Sequence, residues 1–133
     1  MKLTFVQRFF SHLTFFTLFF SGAIWLFLHF FCGEEFLSLS VLSLKFHGLA
    51  AFGFLIVFGM VLSTHISFNW QVKKNRRKSG IILLAFFVIL IASGYGLYYA
   101  GDEDFRDLVS YLHWIIGIFS AGIFAIHFLK KLN

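Results

Sequence analysis

Residues 108–129 read LVSYLHWIIGIFSAGIFAIHFL, a stretch with no Asp, Glu, Lys or Arg. At ~1.5 Å per residue, a helix of this length crosses the ~30 Å hydrocarbon layer of a bilayer. Working outward, three further apolar runs cover 9–31, 42–68 and 80–100. The whole chain agrees with them: of its 133 residues 59% are hydrophobic and 13% charged, with 22 Phe and no Pro. A soluble domain carries roughly a quarter charged residues. So many phenylalanines would also form exposed apolar patches that soluble monomers avoid. Inside lipid, a helix is the one open segment that closes its own backbone hydrogen bonds. The predicted fold is therefore an all-α membrane protein of four spans, forming one domain over residues 1–133. Links of about ten, eleven and seven residues leave no room for a soluble domain. Links this short favour antiparallel neighbours, giving an up-down-up-down four-helix bundle. The first run follows a basic N-terminus, but it is too long for a signal-peptide core and lacks an A-x-A-like cleavage site, so it reads as a retained span.

Charge gives the expected orientation. Lys2 and Arg8 precede span one, Lys73, Lys74, Arg76, Arg77 and Lys78 lie between spans two and three, and Lys130 and Lys131 follow span four. All the acidic residues fall at the opposite ends: Glu34 and Glu35, then Asp102, Glu103, Asp104 and Asp107. The positive-inside rule puts both termini in the cytoplasm. The net charge of +5 is thus an orientation signal and gives no argument for nucleic acid. Cys32 is the single cysteine, so no internal disulfide is available, and C-x-x-C-H, the mark of covalent haem attachment, is absent.

The spans are almost free of carboxylates and strong bases, yet they carry histidines, and ionisable residues at membrane depth point to function. His12 and His29 lie on span one, His47 and His65 on span two, and His113 and His127 on span four. His113 and His127 are 14 residues apart, which leaves them only ~40° apart around a helix and ~21 Å apart along it. His47 and His65 are 18 apart, or five whole turns: one face, ~27 Å apart. Spans two and four run in the same direction, so His47 and His113 share the outer level. His127, His65 and His12 lie toward the inner one. His29 is about 100° off the face of His12, at 17 residues' separation.

Two layers of histidine drawn from more than one helix suit two bis-histidine haems b, each iron taking a neutral imidazole on either face. The candidate ligands are His12, His47, His113 and His127. For the partner of His127, depth favours His12. His65 is the alternative, and in the absence of ligation it would bond a haem propionate or line a quinone pocket. Gly48 and Gly117 are candidates for letting a macrocycle lie close to backbone. The pairs Ser21-Gly22, Ser79-Gly80 and Ser93-Gly94 fit either close helix packing or room for a flat cofactor. Two other readings use the same histidines: a metal or proton pathway, and a haem-free structural subunit in which imidazoles bond across helices.

These residues carry a resemblance. Arg8-Phe-Phe-Ser-His12 with Ser21-Gly22, His47-Gly48, and His113-Trp-Ile-Ile-Gly117 with His127 resemble the four-helix di-haem cytochrome b subunits of membrane formate dehydrogenases and nickel–iron hydrogenases. The resemblance implies haem pairs His12–His127 on the cytoplasmic side and His47–His113 on the outer side of a bacterial-type inner membrane. A second resemblance, to membrane cytochromes associated with flavinylated extracytoplasmic electron-transfer proteins, rests on His47-Gly48, His65-Ile-Ser-Phe-Asn69-Trp70 and Ser93-Gly94-Tyr95-Gly96-Leu97-Tyr98. That pattern implies that both span-two histidines are ligands. Either family implies electron transfer between a quinone pool and a partner redox subunit. The chain has no nucleotide-binding fingerprint and no cysteine set for an iron–sulfur cluster, so the expectation is a non-catalytic subunit of an oxidoreductase complex.

Overall fold

The computed structural model describes the backbone of residues 3–66 and 77–132 and the side chains of residues 3–65 and 78–128. Among the described residues every regular element is helical. Helix α1 spans Phe5–Phe31; a short 3-10 turn, Glu34–Phe36, leads into α2, Leu37–Val61, which runs on through a wide π turn, Leu62–Ile66. Helix α3 spans Arg77–Tyr99 and α4 spans Glu103–Leu132. Four helices are long and apolar enough to cross a membrane, as expected for an all-α multi-pass protein. The last two residues of the expected span 42–68, the Asn69-Trp70 pair and Lys73, Lys74 and Arg76 lie outside the described residues.

The helices outrun the apolar segments, because polar residues close their ends. Thr4 Oγ1 accepts from the backbone N–H of Gln7 at 3.2 Å, while the N–H of Thr4 donates to Gln7 Oε1 at 2.9 Å. This reciprocal cap satisfies two otherwise orphaned donors and starts α1 at Phe5, ahead of the expected residue 9. At α4, Asp102 Oδ1 accepts from the N–H of Phe105 at 2.8 Å, and Glu103 and Asp104 occupy the first turn. Their negative charge complements the positive end of the helix dipole. Residues expected to be linker, 103–107, are therefore the opening turn of α4, and the connection from α3 shrinks to residues 100–102.

The chain divides into two compact units, Met1–Val72 and Lys73–Asn133. The first is the antiparallel hairpin α1–α2, the second the antiparallel hairpin α3–α4. Antiparallel neighbours were the expectation from short links, and the hairpins meet it. Large apolar side chains such as Phe52, Ile56 and Phe119 stand exposed on the two hairpins, as suits helices apolar enough to cross a membrane. What the hairpins bury is small. Among the described residues, those buried beside Phe15, Val57 and Leu83 are Ser21, Ser43, Ser93 and Ser120. Small side chains let transmembrane helices approach closely. Their hydroxyls cost little at that depth because each donates to a nearby carbonyl: Ser21 to Thr17 at 2.6 Å, Ser93 to Ile89 at 2.7 Å, Ser120 to Gly117 at 2.7 Å.

Candidate functional site

The same contact is built three times. His47, on α2, sets Nδ1 3.0 Å from Ser21 Oγ and 3.0 Å from the Leu18 carbonyl oxygen of α1. His113, on α4, sets Nδ1 2.8 Å from Ser93 Oγ of α3. His127, also on α4, sets Nδ1 3.2 Å from Ser79 Oγ of α3. In each case the serine is followed by a glycine, and the imidazole edge lies over it. A Cβ on Gly22 would stand 3.2 Å from His47 Cε1; on Gly94, 3.4 Å from His113 Cε1; on Gly80, 3.7 Å from His127 Cε1. Serine holds one edge of the ring and glycine makes room for it. Ser43 adds a second tie at the first of these places, donating from Oγ to the Ser21 carbonyl at 2.6 Å.

The spacing explains why both α4 histidines find such a pair. Ser79 and Ser93 are 14 residues apart on α3, as His113 and His127 are on α4. Because the two helices are antiparallel, equal spacings bring both pairs into register, ~21 Å apart along the hairpin. The signal was present in the sequence, since two antiparallel neighbours carried the same interval. Small-residue pairs taken singly could not show it.

Each hairpin thus has a histidine near its turn: His47 stands ten residues into α2 and His113 ten residues into α4. Both are half-buried, as is His127. None of the three is turned away from its neighbouring helix, which a purely lipid-facing histidine would be. A Cβ on Gly117 would meet Leu90 Cδ2 of α3 at 4.0 Å, so this glycine faces the α3–α4 seam.

The remaining histidines are placed less alike. His12 is half-buried, 6.4 Å from the ring of Phe16. It lines a groove of about 740 Å³ between α1 and α2, with Phe16 and Phe20 beside it and Leu42, Ser43 and Phe46 opposite. Counting from the Ser21–His47 contact, His12 is about 14 Å further toward the start of α1. His65 lies in the wide turn Leu62–Ile66. Residues in such a turn advance by less than the ~100° of an α-helix, so His65 is rotated from the expected five-whole-turn alignment with His47. His29 is exposed and stacks on Trp25, ring centroids 4.8 Å apart at 14°, with Phe30 edge-on at 5.1 Å. It packs at a helix end, away from the serine–glycine contacts. Cys32 caps the end of α1 as a free thiol.

Among the described residues, no three of His, Cys, Asp and Glu gather into a site for a metal ion. What the chain offers is separate imidazoles, three of them anchored through Nδ1 within their own hairpins. Ligating histidines are commonly held this way, by a hydrogen-bond acceptor on the ring nitrogen that does not bind the metal. No family model matches the chain, and no curated protein or solved structure matches it.

Proposed function

We propose that this is a membrane b-type cytochrome that binds two haems through histidine pairs and passes electrons between a quinone and a partner redox protein. The observation that carries the reading is the thrice-repeated serine–glycine seat, which anchors Nδ1 of His47, His113 and His127 and leaves ligation to the other ring nitrogen. That donor set fits haem iron, which takes one imidazole per face, better than a zinc or copper ion, which wants three or four ligands together. The pairs that depth along the sequence favours are His47 with His113 for one haem and His127 with His12 for the other. His65 competes with His12 for the last place. When bound, the haem supplies reversible one-electron chemistry at its iron. The chain's own residues bind it, orient the imidazoles and surround them with apolar side chains that keep water away.

The proposal includes cytoplasmic termini and a bacterial-type inner membrane, supported by the basic and acidic ends of the spans. It includes a partner subunit, because the chain offers no other redox centre. The competing metal-ion reading finds no gathered ligand set among the described residues.

The test is direct. The protein purified in detergent is expected to give about two non-covalent haems b per chain by pyridine haemochrome, one per histidine pair. A colourless, folded preparation overturns the proposal. His113→Ala and His127→Ala are each expected to lose one haem. Comparing His12→Ala with His65→Ala then assigns the fourth ligand: the variant that keeps both haems has lost no ligand.

A further inference from the structure

The serines do more than fill space beside the histidines. Ser21 Oγ lies 2.6 Å from the Thr17 carbonyl and Ser93 Oγ lies 2.7 Å from the Ile89 carbonyl, so each hydroxyl proton is committed to its own helix. A hydroxyl has one proton and two lone pairs. With the proton spent, the oxygen can only accept from a second neighbour. The neighbour of Ser93 Oγ is His113 Nδ1 at 2.8 Å, and that of Ser21 Oγ is His47 Nδ1 at 3.0 Å. The Leu18 carbonyl, 3.0 Å from His47 Nδ1, makes the same demand independently, because a carbonyl cannot donate.

We infer that Ser21 and Ser93 are positioning residues that fix His47 and His113 as Nδ1–H tautomers, making Nε2 the nitrogen that binds. The second half of this inference rests on the haem reading; the tautomers do not. In a neutral imidazole one nitrogen carries the proton and the other the lone pair. Fixing the proton on Nδ1 therefore places the lone pair on Nε2, before any iron arrives. Donation from Nδ1–H also makes the ring a more electron-rich ligand. Such a ligand favours the ferric state and lowers the reduction potential of the iron it holds. The adjacent glycine sets how closely the ring can sit, and Gly22 leaves the least room of the three.

Imidazole ¹⁵N NMR on the haem-free protein reads the tautomers directly. His47 and His113 are expected to be protonated at Nδ1 and unprotonated at Nε2. Ser93→Ala is expected to turn His113 into a mixture of tautomers. Ser120→Ala is the control, since Ser120 is also buried on the same helix pair and its hydroxyl donates to the Gly117 carbonyl. It is expected to leave His113 unchanged. In the haem-loaded protein, Ser93→Ala is expected to raise one midpoint potential and Ser120→Ala to move neither. An Nε2–H tautomer at His113 in the wild type overturns the inference. So does a Ser93→Ala variant with the tautomer and both potentials of the wild type. A protein that shows the Nδ1–H tautomers yet binds no haem sinks the cytochrome reading and leaves the serine assignment standing.

Discussion

At His47 a single ring proton lies within reach of two acceptors, the Leu18 carbonyl and Ser21 Oγ, and Gly22 presses on the same edge of the ring. The contact has almost no slack. An added methyl at Gly22 would stand 3.2 Å from His47 Cε1, closer than most real Cβ contacts, whereas at Gly80 it would stand 3.7 Å from His127 Cε1, ordinary packing distance. Gly22→Ala is thus expected to displace the His47 ring and to cost about 1–3 kcal/mol by overpacking, while Gly80→Ala is expected to be neutral or mildly stabilising. Thermal unfolding of the two variants in the same detergent, with the visible spectrum recorded alongside, measures the contrast. Equal losses in both would show that the glycines are not graded by room for the ring. At this scale the 14-residue interval put His113 and His127 on one face of span four, and both rings are found against serines of α3. It did not reveal what holds them, because a serine's partner depends on which helix lies opposite.

The elements show where hydropathy stops being informative. Apolar runs located all four helices, yet α1 begins at Phe5 and α4 at Glu103, earlier than the runs at 9 and 108. Hydrocarbon thickness sets the length of an apolar run; capping side chains set the length of the helix. Asp102 is the clearest instance, a carboxylate that reads as loop solvation and acts as the cap of α4. Asp102→Ala is expected to destabilise by about 1 kcal/mol and Asp102→Asn by much less, since the amide oxygen still accepts from Phe105 N–H. Matched thermal melts decide it, and a loss as large in Asn as in Ala would assign the effect to charge. The wide turn at Leu62–Ile66 was not legible at all. Its residues, LSTHI, have no Pro or Gly to announce it, so His65 was placed by a period that the helix does not keep.

For the whole molecule, an all-helical four-span protein with antiparallel neighbours was legible from composition and link length alone, and the division into two hairpins was not. Orientation is open to a simple measurement, because Cys32 is the chain's single cysteine and sits at the turn end of the first hairpin. A membrane-impermeant maleimide is expected to label it in intact spheroplasts; labelling only after permeabilisation would reverse the proposed topology. The second hairpin behaves as a calliper. Its two jaws, Ser79 on His127 and Ser93 on His113, close together only while both arms have the same length. Exchanging apolar residues between the jaws leaves that length alone, whereas inserting or deleting one residue in a single arm swings a jaw by ~100°. Between these contacts the chain can drift in chemistry far more freely than in residue count.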